Sequence, residues 1–571
     1  MRMARVGVLI DERMAAKRRR YGLNVFEGYI TEVLAHAGIP YQLLRSLREW
    51  NGNDWDVLIV ALEDDNPDDL ECLYRWAEAG GIVIAYGGLN KLADRLACVR
   101  LRPMNEAYAH LPPVSSGEYP PLRALRAIPW ITPDASDVRI ESSGHVSEGS
   151  PHASRDVDLL QRFSVGQGTI ERFCVNVPVA IVALQQGMEP VLKDGLPAAD
   201  GSAALNEGLL KADDGMALDW GWDRLHTETG QAYFAYPYAD YWREVVIAHL
   251  LEAVVNRGMT LPFVDYWPDG VKGVATISHD SDGNEDEHAW STLALLEENQ
   301  IRTTWCMLEP GYSPSVYQRI QQDGHEIAFH YNSLYLDDRF WEQAEFNRQL
   351  QWLQDAAPSV PIRTNKNHYT RFEGWGELFQ WCEETGIVVD QTRGPSKGGN
   401  VGFLFGTCHP YFPIAWSDED NRLYDVLEIG FLTQDMGIGL PWADDSIIAP
   451  LLARTMSVEG VAHFLFHQVH IHTKPKVVEA FNRIVREARQ AGFVFWTSAQ
   501  IYEWEIRRRR IRITGVEESG RALFAAGTAC SDAVVWVPIH ANAEKQGYEE
   551  VRFGVRCMKQ VLPTSSATRG E

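Results

Sequence analysis

From residue 263 to 508, short apolar runs rich in Val, Ile and Phe alternate with amphipathic helical stretches, and this restricts the fold more than any other feature of the chain. Runs at 271–282, 301–307, 326–330, 361–367, 387–390, 423–429, 461–467 and 493–497 read as strands. Stretches at 287–299, 315–322, 339–356, 375–384, 446–458 and 476–491 read as helices. Parallel strands are buried on both faces, so they read as continuous apolar runs rather than alternating ones. About seven such repeats predict an α/β fold, a closed or partly closed barrel with its chemistry at the C-terminal strand ends.

The first run, V-K-G-V-A-T-I-S-H-D-S-D at 271–282, starts apolar and ends polar. On extended backbone, residues two apart share a face, so Asp280 and Asp282 point into one space and His279 turns away. Two carboxylates that close repel unless a metal ion or a proton lies between them. An Asx-rich turn after the strand is the alternative over these few residues.

Ten of the seventeen histidines fall between His279 and His472. His330, His368 and His467 each sit at or just after the end of a different expected strand. The segment G-H-E-I-A-F-H at 324–330 does not match the zinc-protease motif, which needs histidines four apart on a helix. His325 and His330 are five apart, and in a strand that spacing puts them on opposite faces. His330, at the strand exit, is the one expected at the site. Asp390 ends G-I-V-V-D and reads either as a carboxylate orienting a site side chain or as a turn aspartate. Arg371, Arg393 and Tyr331 are candidates for holding substrate, with surface placement the alternative for the arginines.

At 571 residues the chain is too long for one core, and two to four domains are expected. A formal charge of −25 argues against nucleic acid or an anionic membrane as partner. The apolar run Val6–Ile10 is too short for a signal peptide, and no stretch reaches the length of a membrane span. The eight cysteines include no C-x-x-C pair. A cytoplasmic protein with reduced thiols is expected.

In residues 1–262, strands at 5–10, 56–61 and 81–86 alternate with helices at 28–37 and 68–79, predicting a flavodoxin-like parallel sheet. Residues 101–155 read as a long excursion, 174–183 as strand-like, 241–255 as a closing helix and 260–268 as a Pro-bearing linker. This layout resembles the glutamine-amidotransferase-like domains, including trimerisation domains appended to some carbohydrate enzymes, which leaves homo-oligomerisation through this domain open. An active member would need a cysteine at the elbow after the third strand. Tyr86-Gly87-Gly88 has none, and Cys98 lies ten residues further on, so the domain is expected to be non-catalytic, with a structural or substrate-shaping role. Residues 509–571 read as short strands at 511–516, 522–526, 533–538 and 551–557, a small antiparallel domain with a disordered end after Pro563.

The segments T-I-S-H-D-S-D-G, G-H-E-I-A-F-H-Y-N-S and H-F-L-F-H-Q together resemble the polysaccharide deacetylase family (the NodB-homology domain), over roughly residues 268–505. The resemblance implies a distorted (β/α)7 barrel and a divalent metal, usually zinc. It implies that Asp280 is the general base, that Asp282 and His330 bind metal, and that His467 donates a proton to the leaving group. This chain departs from the family in two places: Ser281 splits the aspartate pair, and Leu334 stands where the second motif-two histidine would be. His368 is then the expected third ligand, with His470 the alternative. The expected activity is metal-dependent hydrolysis of an amide C–N bond, with an N-acetylated sugar or saccharide as substrate. A ring-opening amidohydrolase and a catalytically degenerate carbohydrate- or protein-binding scaffold are the alternatives.

Overall fold

The computed structural model describes residues 1–571 except 51–53, 65, 113–118, 133–138, 154–156, 207, 440–441, 529, 541–547 and 564–571. The expected disordered end after Pro563 lies outside the described residues.

The alternating region forms one open, wholly parallel sheet. Its strands run in the order Leu427–Glu428, Val389–Asp390, Thr364–Asn367, Glu326–Tyr331, Thr304–Met307, Gly273–Asp280, Val461–His467 and Thr433–Gln434, with Phe493–Phe495 paired to the start of Gly273–Asp280. The central strand Gly273–Asp280 is buried along its whole length, which is why it carries Val, Ala and Ile on both faces. Helices such as Asp286–Asn299, Gln343–Ala356 and Pro475–Ala491 return the chain between strands. The strands at the two margins are only two residues long, so the sheet curves toward a barrel without closing. Inside, the filling is polar: Lys366 Nζ donates to Ser278 Oγ at 2.5 Å, and Ser278 lies 2.8 Å from His463 Nε2.

The N-terminal sheet differs from expectation. It has nine strands in the order Gln42–Leu44, Val6–Ile10, Val57–Leu62, Ile82–Tyr86, Gly168–Phe173, Val157–Val165, Ile140–Glu148, Ala107–His110 and Leu122–Ala124. The first five are parallel and the rest antiparallel. Much of the supposed excursion at 101–155 is therefore sheet. The strand-like reading at 174–183 is also wrong, because Val177–Gln186 is a helix capped by Asn176, with Pro178 in its first turn. Most of its side chains are buried, and a helix apolar on every side loses the period that would distinguish it from a strand. At the elbow, Gly87 and Gly88 take φ of +78° and +67°, and Cys98 is buried, its thiol pushed up by that burial.

The supposed linker is a strand too. Phe263–Pro268 pairs antiparallel with Ala533–Pro538, so the C-terminal sheet is built from chain on both sides of the barrel. The expected single strand at 551–557 is a hairpin, Glu549–Arg552 and Val555–Val561, turning at Phe553-Gly554. Among the described residues no helix is long and apolar enough to cross a membrane.

Residues 187–206 and 208–237 reach the barrel mouth and are tied to its loops by backbone. Val191 and Gly374 exchange hydrogen bonds at 2.8 and 2.9 Å, Ala203 N donates to Gly398 O at 2.8 Å, and Phe234 N donates to Val401 O at 2.7 Å.

Candidate metal centre and active site

Asp282 leaves the end of the central strand, and His330 leaves the end of Glu326–Tyr331 two strands away. His368 directly follows Thr364–Asn367, in a turn where Tyr369 and Thr370 both take positive φ, 56° and 52°. Such strain in non-glycine residues is held only where the surroundings over-determine it. The three side chains converge. Asp282 Oδ1 lies 3.6 Å from His330 Nε2 and 3.4 Å from His368 Nδ1, and the two histidine nitrogens are 3.3 Å apart.

These distances test the fit of a metal. Two nitrogen or oxygen ligands, each about 2.0–2.1 Å from a tetrahedral zinc, lie about 3.3 Å from one another. Asp282 Oδ1 is buried and accepts no hydrogen bond in this arrangement. His330 Nδ1 lies 2.9 Å from the carbonyl oxygen of Lys366, which can only accept. The ring proton therefore sits on Nδ1, and the Nε2 lone pair faces the cluster. The residues fit a divalent cation. Burial would raise the Asp282 carboxyl, but the adjoining His368 and His330 hold it well below the usual carboxylate range.

Asp280 stands beside this cluster, with Oδ2 3.7 Å from His330 Nε2. Its other oxygen is 3.4 Å from Nζ of Lys366, a fully buried lysine aimed along the inside of the barrel. On the other side, His467 Nε2 is 3.6 Å from Asp282 Oδ2, and its Nδ1 makes a short contact with the buried Asp435 carboxylate. Burial opposes the charge on His467, yet Asp435, Asp282 and Asp280 raise its pKa to about 10, so the surrounding carboxylates favour the protonated ring. Burial likewise opposes the charge on Asp435, and His467 and His470 hold it at about 2. His470 belongs to this second group, its Nδ1 2.9 Å from Asp435, and not to the first. Leu334 lies past the end of its strand, capping the short turn Tyr335–Asp337.

Asp280, Asp282, His467 and His470 line one cavity of about 900 Å³. Part of its wall comes from residues 200–232 and part from the barrel loops, including Tyr369, Ser396 and Gln434.

Four expected site residues lie elsewhere. Tyr331 is next to His330 and so points to the opposite face, where its hydroxyl donates to Phe340 O at 2.6 Å. Asp390 is the register partner of Asn365, on the face opposite Lys366; it accepts from Asn365 Nδ2 at 2.7 Å and from Thr392 N and Oγ1 at 2.9 Å. Burial raises its pKa. Arg393 is buried against the rings of Phe372, Phe405 and Phe379, with Nη1 on Gln186 O. Arg371 is buried as well, bonded to Ser333 O and paired with Glu373. Neither arginine lines the cavity.

Sequence reasoning missed Lys366 and Asp435. Lys366 sits in T-N-K-N, a strand without apolar residues, and Asp435 follows a strand of two residues, too short for any periodic signal.

Neither a family model nor a curated protein matches this chain. Solved structures do, over part of its length. A putative polysaccharide deacetylase from Mycobacterium smegmatis is 16% identical, covering 42% of this chain and 91% of that one, with a TM-score of 0.30. Puue allantoinase is 13% identical over 42% of this chain and 91% of that one, with a TM-score of 0.30. Peptidoglycan deacetylase PdaC from Bacillus subtilis is 12% identical over 42% and 95%, with a TM-score of 0.26. At that level of similarity the chemistry of the site stands on its own side chains.

Proposed function

We propose that this protein is a divalent-metal-dependent hydrolase that cuts an amide C–N bond, with an N-acetylated saccharide as substrate. The observation that carries the reading is the flanking of one candidate ligand triad, Asp282, His330 and His368, by a carboxylate on one side and an imidazole on the other. Asp280 is a carboxylate that the triad does not use, and His467 is an imidazole whose protonated form the surrounding carboxylates favour. Amide cleavage needs both, because water must lose a proton as it attacks and the departing amine must gain one.

Asp282, His330 and His368 would hold the metal. When bound, it supplies a Lewis acid for the acyl oxygen and lowers the pKa of a coordinated water. The remaining steps belong to the chain. Asp280 accepts the proton of the attacking water, and Lys366, 3.4 Å away, holds that carboxylate in place. His467 donates its proton to the amine nitrogen, and Asp435 fixes the ring so that Nε2 faces the cavity. Tyr369, half exposed at the rim, offers a ring face on which a sugar can stack.

The test is acetate release. Purified full-length chain, dialysed against zinc or cobalt, is assayed for metal content and then incubated with N-acetylglucosamine oligomers. Stoichiometric metal with chelator-sensitive acetate release is the expected result. A protein that takes up no divalent ion at all would sink the reading.

A further inference from the structure

The substrate-reading group that sequence placed at Arg371 or Arg393 is absent from both positions, and a different cation occupies the cavity wall. Lys211 lies in the 208–237 segment, which the N-terminal part of the chain brings to the barrel mouth, and it is only 4% exposed. Its backbone bridges to Arg371 and its side chain lines the cavity that holds Asp280, Asp282 and His467. Nζ donates to Ser396 Oγ at 3.0 Å and lies 5.2 Å from the centre of the Tyr369 ring, both on the same wall.

What Lys211 lacks is an ion pair in contact. Among the described residues no carboxylate lies within the 4.0 Å ion-pair distance of its Nζ. The two nearest acids are committed elsewhere. Asp213 accepts from the backbone N–H groups of Ser396 and Lys397 and from Asn400, and Asp214 holds Lys397 Nζ at 2.5 Å. Lys397, the other lysine of this wall, thus has a carboxylate in contact and Lys211 does not. Burial lowers the Lys211 pKa; Asp213 and Asp214 attract the ammonium from beyond contact distance, and Lys397 repels it. A buried cation facing a solvent-filled cavity is relieved when an anion enters.

We propose that Lys211 binds an anionic substituent, a carboxylate or phosphate, that the substrate carries away from the bond being cut. The proposal deepens the amide-hydrolase reading and rests on it for the word substrate. The N-terminal part of the chain then has a function, since it supplies the residue that selects charged over neutral substrates.

Calorimetry on the full-length, metal-loaded chain tests this with three probes: N-acetylglucosamine, its 6-phosphate and N-acetylmuramic acid. Wild type should bind at least one of the two anionic probes about tenfold or more tighter than the neutral one, and which one separates phosphate from carboxylate. Lys211→Met should bring that preference to within about threefold of parity, while Lys211→Arg keeps most of it. Asp282→Asn, which disables the metal cluster, should keep the preference. No preference in wild type, or an unchanged preference in Lys211→Met, overturns the proposal. A preference lost in Asp282→Asn and kept in Lys211→Met also overturns it, because the anion would then sit on the metal. Should Lys211→Met fail to fold, because the buried Asp213 loses the cation nearest to it in effect, Lys211→Gln takes its place. Acetate release is scored separately. A chain that binds the anionic probes through Lys211 and cuts none of them refutes the hydrolase reading and not this one.

Discussion

His330 Nε2 and His368 Nδ1 lie 3.3 Å apart, although they belong to different strand ends and thirty-eight residues separate them. Uncharged imidazoles with facing lone pairs have no reason to approach so closely unless a proton or a cation is shared between them. With Asp282 at 3.4 and 3.6 Å, the pair forms the candidate metal centre on which the proposed chemistry depends.

The first prediction concerns those ligands. His330→Ala and His368→Ala should each weaken zinc or cobalt binding by about tenfold or more, since each removes one of three protein ligands. Metal titration followed by the visible spectrum of cobalt checks it. Full affinity in His368→Ala would remove that residue from the centre.

Asp280→Asn should keep its metal and lose about 10²–10⁴-fold in turnover, because the ligand shell survives while the proton acceptor does not. Lys366→Met should lose activity as well, through kcat rather than metal content, since the Lys366 side chain touches Asp280 and none of the ligands, and its backbone carbonyl on His330 is kept. Steady-state kinetics beside elemental analysis separates the two effects. Normal turnover in Asp280→Asn would mean that another group takes the proton.

Asp435→Asn should mimic His467→Ala. The Asp435 carboxylate favours the protonated His467 ring and orients it, so removing it leaves an imidazole that is neutral more often and free to turn. Each change should cost about 10²–10⁴-fold in kcat, and the double variant little more than either alone. Fully additive losses would show that the two residues do not act as one unit.

His279 makes the fold itself sensitive to acid. It points away from the cavity and packs against the rings of Trp305 and Phe481. Burial first, with His325 and Lys366 adding to it, lowers its pKa from 6.5 to about 3. The folded state thus takes up this proton at lower pH than the unfolded chain does. Its contribution to stability is complete above pH 6.5 and is lost as pH falls toward 3, at about 1.4 kcal/mol per pH unit. Urea unfolding across that window should show the slope in wild type and a shallower one in His279→Phe. Equal slopes in the two proteins would assign the acid sensitivity to other groups.

Much of the barrel was legible in the chain. Both-face burial writes a parallel strand as an unbroken apolar run, as in Gly273–Asp280 and Val461–His467, and the polar residue after such a run marks the open end of the sheet. That rule alone sets Asp280, Asp282, His330, His368 and His467 at one rim. It misreads segments whose burial hides their period, such as the helix Val177–Gln186, and segments whose partner is distant, such as Phe263–Pro268 paired with Ala533–Pro538.

What the sequence determined by itself is therefore the order of strands and helices and the rim on which the acids and histidines fall, because periodicity and burial act over a few neighbouring residues. Tertiary structure decided which polar side chains share a cavity. One residue of register separates His330, facing inward, from Tyr331, facing outward, and the same parity turns Lys366 in and Asp390 out. It also buried Arg371 and Arg393 and brought Lys211 to the cavity of Asp280, Asp282 and His467. These are contacts across long loops and curved sheet, and nothing in the local sequence encodes them.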